Sequence, residues 1–160
     1  MTFLLLAMTA GTAFAGNNAD EKLLGLTEQA LKDALPSVVK LAKPIWGPHR
    51  ERGAYVLKNS VFYDQNFDAI FYFKNGRTER IEQRQVASMS NCDSRYASLN
   101  AKLDTVYGVP ISESNYGDIH QSTAWQTETF KVLFHKIQDE SRCELLVAFM
   151  PLSPKDSSEL

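Results

Sequence analysis

The chain carries few of the residue patterns that chemistry needs. It has no G-x-S-x-G nucleophile elbow, no H-E-x-x-H pair, no phosphate-binding P-loop and no dinucleotide fingerprint. Hydrolases, zinc proteases, NTPases and nucleotide-dependent oxidoreductases that announce themselves by motif are therefore not indicated. Histidine is scarce: His49, His120 and His135 are the full set, and none has a partner at metal-ligand spacing. There is no Lys/Arg run, and 17 basic residues face 19 acidic ones, so no electrostatic footprint for nucleic acid exists. No segment reaches the roughly 20 apolar residues needed to span a bilayer as a helix. The expectations are no catalytic residue, no metal, no cofactor, no nucleic-acid partner, and neither a membrane span nor a lipid anchor.

What is present begins at the N-terminus. Phe3 to Ala10 is an uncharged apolar stretch, followed by Ala13-Phe14-Ala15 before Gly16. That is the pattern of a short h-region and a small-x-small cleavage site. No Lys or Arg precedes the stretch, which a start codon a few residues upstream would supply. Residues 1–15 read as a cleaved signal peptide, 16–150 as one domain, and the polar, Pro-containing segment 151–160 as a disordered tail. No cysteine follows the h-region, so the lipoprotein pattern is missing. Export to a periplasm is the simplest destination. In such an oxidising compartment the two cysteines, Cys92 and Cys143, read as a disulfide.

The middle of the chain is organised by periodicity and turn chemistry. Residues 20–35 read as helical, with Thr27 as an internal N-cap and Pro36 as the stop. "SVVKLAKP" is either a first strand or the frayed continuation of that helix. "WGPHRERG" is a loop, "AYVLKNSVFY" a strand, and Asp64-Gln65-Asn66 a turn. Asn75-Gly76 predicts a type I′ hairpin between Phe67–Lys74 and Arg77–Gln85. Phe67, Ala69, Phe71 and Phe73 share one face, yet a plain two-residue turn sets them against Thr78, Arg80, Glu82 and Arg84. Either a bulge shifts the register, or the second strand lies at the sheet margin. A second helix spans "SNCDSRYASLNAKLDTVYGVP", capped by Ser90 or Asn91 and ended by Gly108. Its apolar stripe is Tyr96, Leu99, Leu103, Val106 and Tyr107. A loop from Ile111 to Gly117, a strand over "TAWQTETFKVLFHKIQ", a turn at "DESR" and a final central strand "CELLVAFM" complete the order. The predicted class is α+β: an antiparallel sheet with two helices packed on one face, its halves readable as two tandem helix–sheet units.

Two pairs of segments carry a resemblance: "GLTEQALKDALP" with "FDAIFYFKNGRTERIE", and "CDSRYASLNAKLDTVYGVP" with "CELLVAF". In this arrangement the chain resembles small exported bacterial proteins of the β-lactamase inhibitor protein and outer-membrane assembly lipoprotein types. The resemblance implies binding of another protein through the open face of the sheet. The lipoprotein cysteine of the assembly family is absent, so anchoring does not carry over, and no functional residue transfers.

Side chains suited to a binding surface can still be named. Trp46, Arg50, Arg52 and Tyr55 cluster around the "WGPHRERG" loop, and Trp, Tyr and Arg are enriched at interface hot spots. Tyr72, with Asp68 and Ile70, lies on the reverse of the Phe67/Phe71/Phe73 row and is expected to be exposed. Trp125 is a further candidate. Asp118, His120 and Ser122 are close enough in sequence to suggest a hydrolytic triad, but a triad is defined in space. Glu113, Asp118 and Glu128 are acids that glycoside chemistry would have to bring together. His135 is a candidate pH sensor. The leading expectation is a non-enzymatic protein-binding module of inhibitor, immunity or envelope-assembly type, whose partner is another exported or envelope protein. A carrier of small apolar ligands, with a pocket between helix and sheet lined by the Phe residues, is the alternative, and a hydrolase the third.

Overall fold

The computed structural model describes residues 20–117 and 119–152. The expected signal peptide, Asp118 and residues 153–160 of the expected tail lie outside the described residues. A short 3-10 turn, Glu21–Leu23, precedes helix α1, Glu28–Ala34. Four strands follow: β1 Val39–Trp46, β2 Arg52–Phe62, β3 Gln65–Lys74 and β4 Arg77–Ala87. Helix α2 is Cys92–Tyr107, and β5 Ser112–Tyr116, β6 His120–Gln126, β7 Phe130–Gln138 and β8 Cys143–Pro151 complete the described residues.

All eight strands form one antiparallel sheet in the order β1-β2-β3-β4-β8-β7-β6-β5. This corrects the predicted α+β class. The fold is β-dominated, its helices are only 7 and 16 residues long, and they do not form a layer over a sheet face. Each half is a short helix followed by a four-stranded meander, but the two halves share one sheet. The two meanders join through β4 and β8, in register from Ile81 opposite Phe149 to Ala87 opposite Cys143, and a single core draws on both halves. That core holds Phe67, Phe71, Phe73 and Ile81 together with Trp125, Val132, Phe134, Val147 and Phe149. The helices add Leu31, Cys92, Leu99 and Leu103 to it.

Local chemistry explains most boundaries. Thr27 caps α1, its hydroxyl accepting from the Ala30 amide at 3.2 Å, but the predicted helix from residue 20 is broken at extended Leu24. Asn75 and Gly76 both have positive φ, 52° and 75°, as a type I′ turn requires. The β2–β3 turn uses Tyr63 and Asp64 at φ 47° and 64°, so it sits one residue earlier than its polar residues suggested. The register question is answered by a bulge. Tyr72 faces Arg80 while Phe73 faces Thr78, leaving Glu79 as the extra residue, and Phe71 thereby meets Ile81 on the core face. β4 is central rather than marginal.

Between the N-terminal segment and the sheet lies a cavity of about 30 Å³, lined by Leu23, Leu35, Phe62, Ala69, Phe71 and Asp20 among others. That is room for about one water, against roughly 300 Å³ for the smallest usual ligand pockets. The Asp20 carboxylate accepts from Gln83 Nε2 at 2.9 Å. Burial pushes its pKa up to about 6, with Glu21 adding to the rise and the Gln83 hydrogen bond opposing it. The folded state therefore keeps a proton that the unfolded chain loses near pH 3.9. Stability from this group is complete below that pH and is lost as pH rises towards 6. Asp20→Asn is expected to raise stability at pH 7 by about 1–2 kcal/mol and to flatten the pH 4–6 slope, measured by urea unfolding across that range.

Candidate functional site

Hydrogen bonding fixes the end of the β1–β2 hairpin from within. Glu51 is 3% exposed and its carboxylate accepts from the His49 amide at 2.7 Å. The Gly47 amide donates to the Glu51 carbonyl at 2.9 Å, and the Arg50 amide to the Gly47 carbonyl at 3.2 Å. A Cβ on Gly47 would stand 2.6 Å from Glu51 Cδ, so only glycine lets the carboxylate fold under the loop. Trp46, the last residue of β1, is displayed by this platform at 65% exposure. Ile45 and Val39 on the same edge strand are also exposed. Between residues 34 and 50 there is no acidic residue, while Lys40, Lys43, His49 and Arg50 are all exposed. The result is an apolar, cationic edge around one tryptophan.

The other residues expected at this surface divide between rim and core. Arg52 Nη2 donates to Glu28 Oε1 of α1 at 2.9 Å, and the Tyr55 hydroxyl donates to Glu28 Oε2 at 2.9 Å. Arg52 is partly exposed, whereas Tyr55 is 2% exposed and packs edge-on to Phe73. Tyr55 supports the hairpin from below and cannot touch a partner. Trp125 is fully buried, its indole donating to Asp104 Oδ1 of α2 at 3.0 Å. The expectation that Tyr72 is exposed is likewise corrected, since its exposure is 0%.

Tyr72 belongs to a polar cluster that binary patterning does not reveal. Glu82 on β4 is buried and accepts from Arg80 Nε at 2.6 Å, from Arg84 Nε at 2.7 Å and from the Tyr72 hydroxyl at 2.7 Å. Arg84 Nη2 also donates to the Tyr72 hydroxyl at 3.1 Å. Arg80 Nη1 reaches the Met150 sulfur at 3.2 Å. Burial, and next the Glu82 charge, raise the tyrosine pKa. Burial lowers that of Arg84, but Glu82, Tyr72 and Glu144 together outweigh it and raise it. Every charge is answered within the cluster, so the arrangement is structural. Around it Val56 and Ile70 pack with Tyr72 and partly buried Leu41, apart from the main core.

The candidate triad is not assembled among the described residues. His120 Nε2 lies 3.3 Å from His135 Nδ1, and Ser122 Oγ lies 2.6 Å from Ser114 Oγ. His120 and Ser122 are thus each engaged elsewhere, and Asp118 lies outside the described residues. The pKa of His135 is lowered by burial, then by the charges of His120 and Arg80. No group of three His, Cys, Asp or Glu suited to a metal ion occurs among the described residues. Cys92 and Cys143 are bonded, with Cα atoms 5.9 Å apart, and no helix among the described residues is long and apolar enough to cross a membrane.

No family model, curated protein or solved structure matches the chain. The functional reading therefore rests on the geometry above. Trp46 and Arg50 are exposed, as expected of a contact surface, whereas the burial of Glu51 is not legible from the sequence, because its flanking arginines make it look like one more solvated loop charge.

Proposed function

We propose that this protein is a non-enzymatic protein-binding module, exported to the periplasm by a cleaved signal peptide, of inhibitor, immunity or envelope-assembly type. Its contact surface is the end of the β1–β2 hairpin. The observation that carries the reading is Trp46, a large aromatic side chain at 65% exposure on a loop held by a buried carboxylate. Pre-ordering the loop removes part of the entropy cost of association, and tryptophan and arginine are the residues that most often dominate interface energetics. The acid-free stretch 34–50 favours an exported protein that offers an apolar recess for the indole with carboxylates around it. The Cys92–Cys143 bond supports an oxidising compartment.

Trp46→Ala is expected to weaken binding to the captured partner by about thirtyfold or more, the loss of a hot spot worth at least about 2 kcal/mol. Global stability should move by less than about 0.5 kcal/mol, because the side chain is mostly in water. Calorimetric titration and thermal unfolding of the same preparations check both. Unchanged affinity in Trp46→Ala and in Arg50→Ala would place the contact surface elsewhere.

A further inference from the structure

Two of the three histidines, too far apart in sequence to form a ligand motif, meet on the sheet. His120 opens β6 and His135 lies in β7. Ser122 stands opposite His135 and Ile137 opposite His120, so both imidazoles rise from the same face of neighbouring strands. It is the face opposite Phe134 and the main core. His120 Nε2 lies 3.3 Å from His135 Nδ1. The two rings are stacked, 29° apart with centroids at 5.5 Å, and Tyr116 of β5 stacks on His120 at 6.1 Å and 19°. Three rings on three adjacent strands thus order one another. Both histidines keep part of their surface in solvent, so the pair can be reached from outside.

A neutral pair can share one proton across this gap, one nitrogen donating and the other accepting. The same separation is also the bite of a metal chelate. Two nitrogens, each about 2.0–2.1 Å from zinc and meeting at the tetrahedral angle, stand about 3.3–3.4 Å apart. Neutral imidazole is a ligand that suits zinc, whereas magnesium and calcium take oxygen donors. The charges felt at His135 are those of Arg80 and Glu82, which are paired with each other at 2.6 Å and so largely offset. We propose that His120 and His135 form a two-ligand zinc site, with its remaining coordination positions open to water. Two protein ligands fall short of the four that close a structural zinc centre, so the ion exchanges with solvent. The site is independent of the Trp46 surface.

The test is a zinc titration of the untagged chain above pH ~7, where an ordinary imidazole is neutral, followed by calorimetry and by long-range ¹H–¹⁵N NMR of the imidazole rings. Saturable binding of one zinc per chain is expected. The His120 Nε2 and His135 Nδ1 signals should move and those of His49 should stay still. Magnesium at the same concentration should have no effect. His120→Gln leaves a side chain that still hydrogen-bonds but removes one ligand. It should weaken zinc binding by at least about tenfold, since even a lost outer-shell partner costs about 10–100-fold. His135→Ala should do the same, and if it fails to fold, His135→Gln takes its place. No saturable zinc binding overturns the proposal, and so does binding that shifts His49 instead or that survives His120→Gln unchanged.

Discussion

Replacing Glu82 with alanine should destabilise the protein by about 3–5 kcal/mol, a large part of the stability of a domain this size. The carboxylate is 3% exposed and is the acceptor for Arg80, itself only 8% exposed, and for Arg84. Without it the buried Arg80 loses its carboxylate partner, while Arg84, a third exposed, keeps only Glu144 at 3.9 Å. The Tyr72 hydroxyl also loses the acceptor it reaches at 2.7 Å. The contrast is a variant in which the whole cluster is made apolar, Arg80→Met with Glu82→Leu and Arg84→Met. Removing all three charges removes the desolvation cost together with the pairing, so this variant should lie near the parent or above it. Chemical denaturation distinguishes the two. A mild loss in Glu82→Ala would mean that the cluster is well hydrated.

Loss of the disulfide should come close behind. The bond ties the first residue of α2 to the first of β8 across 51 residues, and in the chain-entropy model a loop of that length is worth about 4 kcal/mol. Cys92→Ala with Cys143→Ala is expected to lower stability by about that amount. Both sulfurs are buried in the main core, so reductant alone should act slowly, and only as fast as the bond becomes exposed. Denaturant unfolding of the oxidised parent and the double variant measures the difference. Equal midpoints would assign the covalent link no role in stability.

What was legible in the sequence is what neighbouring residues decide. Asn75-Gly76 sets its own turn, Thr27 supplies its own cap, Gly108 ends α2 at φ 80°, and the Phe67/Phe71/Phe73 row alternates into the core. The cysteine pair could be read from compartment and parity. β5 was hidden because "SESNY" has no apolar alternation. As an edge strand with one neighbour it needs none, and its partner β6 runs in register from Ser112 opposite Ala124 to Tyr116 opposite His120. The β6–β7 turn was hidden because Thr127-Glu128-Thr129 lacks Gly, Pro and Asn. There the Thr127 hydroxyl accepts from the amides of Thr129 and Phe130 at 3.3 and 3.2 Å, closing a turn with residues that otherwise favour strands. The sequence pattern therefore merges β6 and β7 into one strand.

The helix–sheet balance is misleading in the sequence for the same reason: β5 carries no strand signal, β6 and β7 merge, and β1 is ambiguous between strand and helix. Tyr72 was misplaced because arginines and a glutamate on alternate positions read as a solvated face. Alternation reports polarity, and it does not report whether charges three strands deep neutralise one another. At the proposed contact surface, the residue types of Trp46 and Arg50 suggest exposure, and both are exposed. The burial of Glu51 is not legible, since only the folded loop shows a carboxylate turned inward onto a backbone amide.

The proposed Trp46 contact surface is tested most directly by a photo-cross-linking residue placed at position 46 of the full chain, irradiated in native envelope extract, with Val106 on α2 as the control position. Val106 is also exposed, at 40%, but lies on a different element. A light-dependent adduct with one exported or envelope protein is expected from position 46 and none from position 106. No adduct at position 46, or the same adduct from both positions, would contradict it.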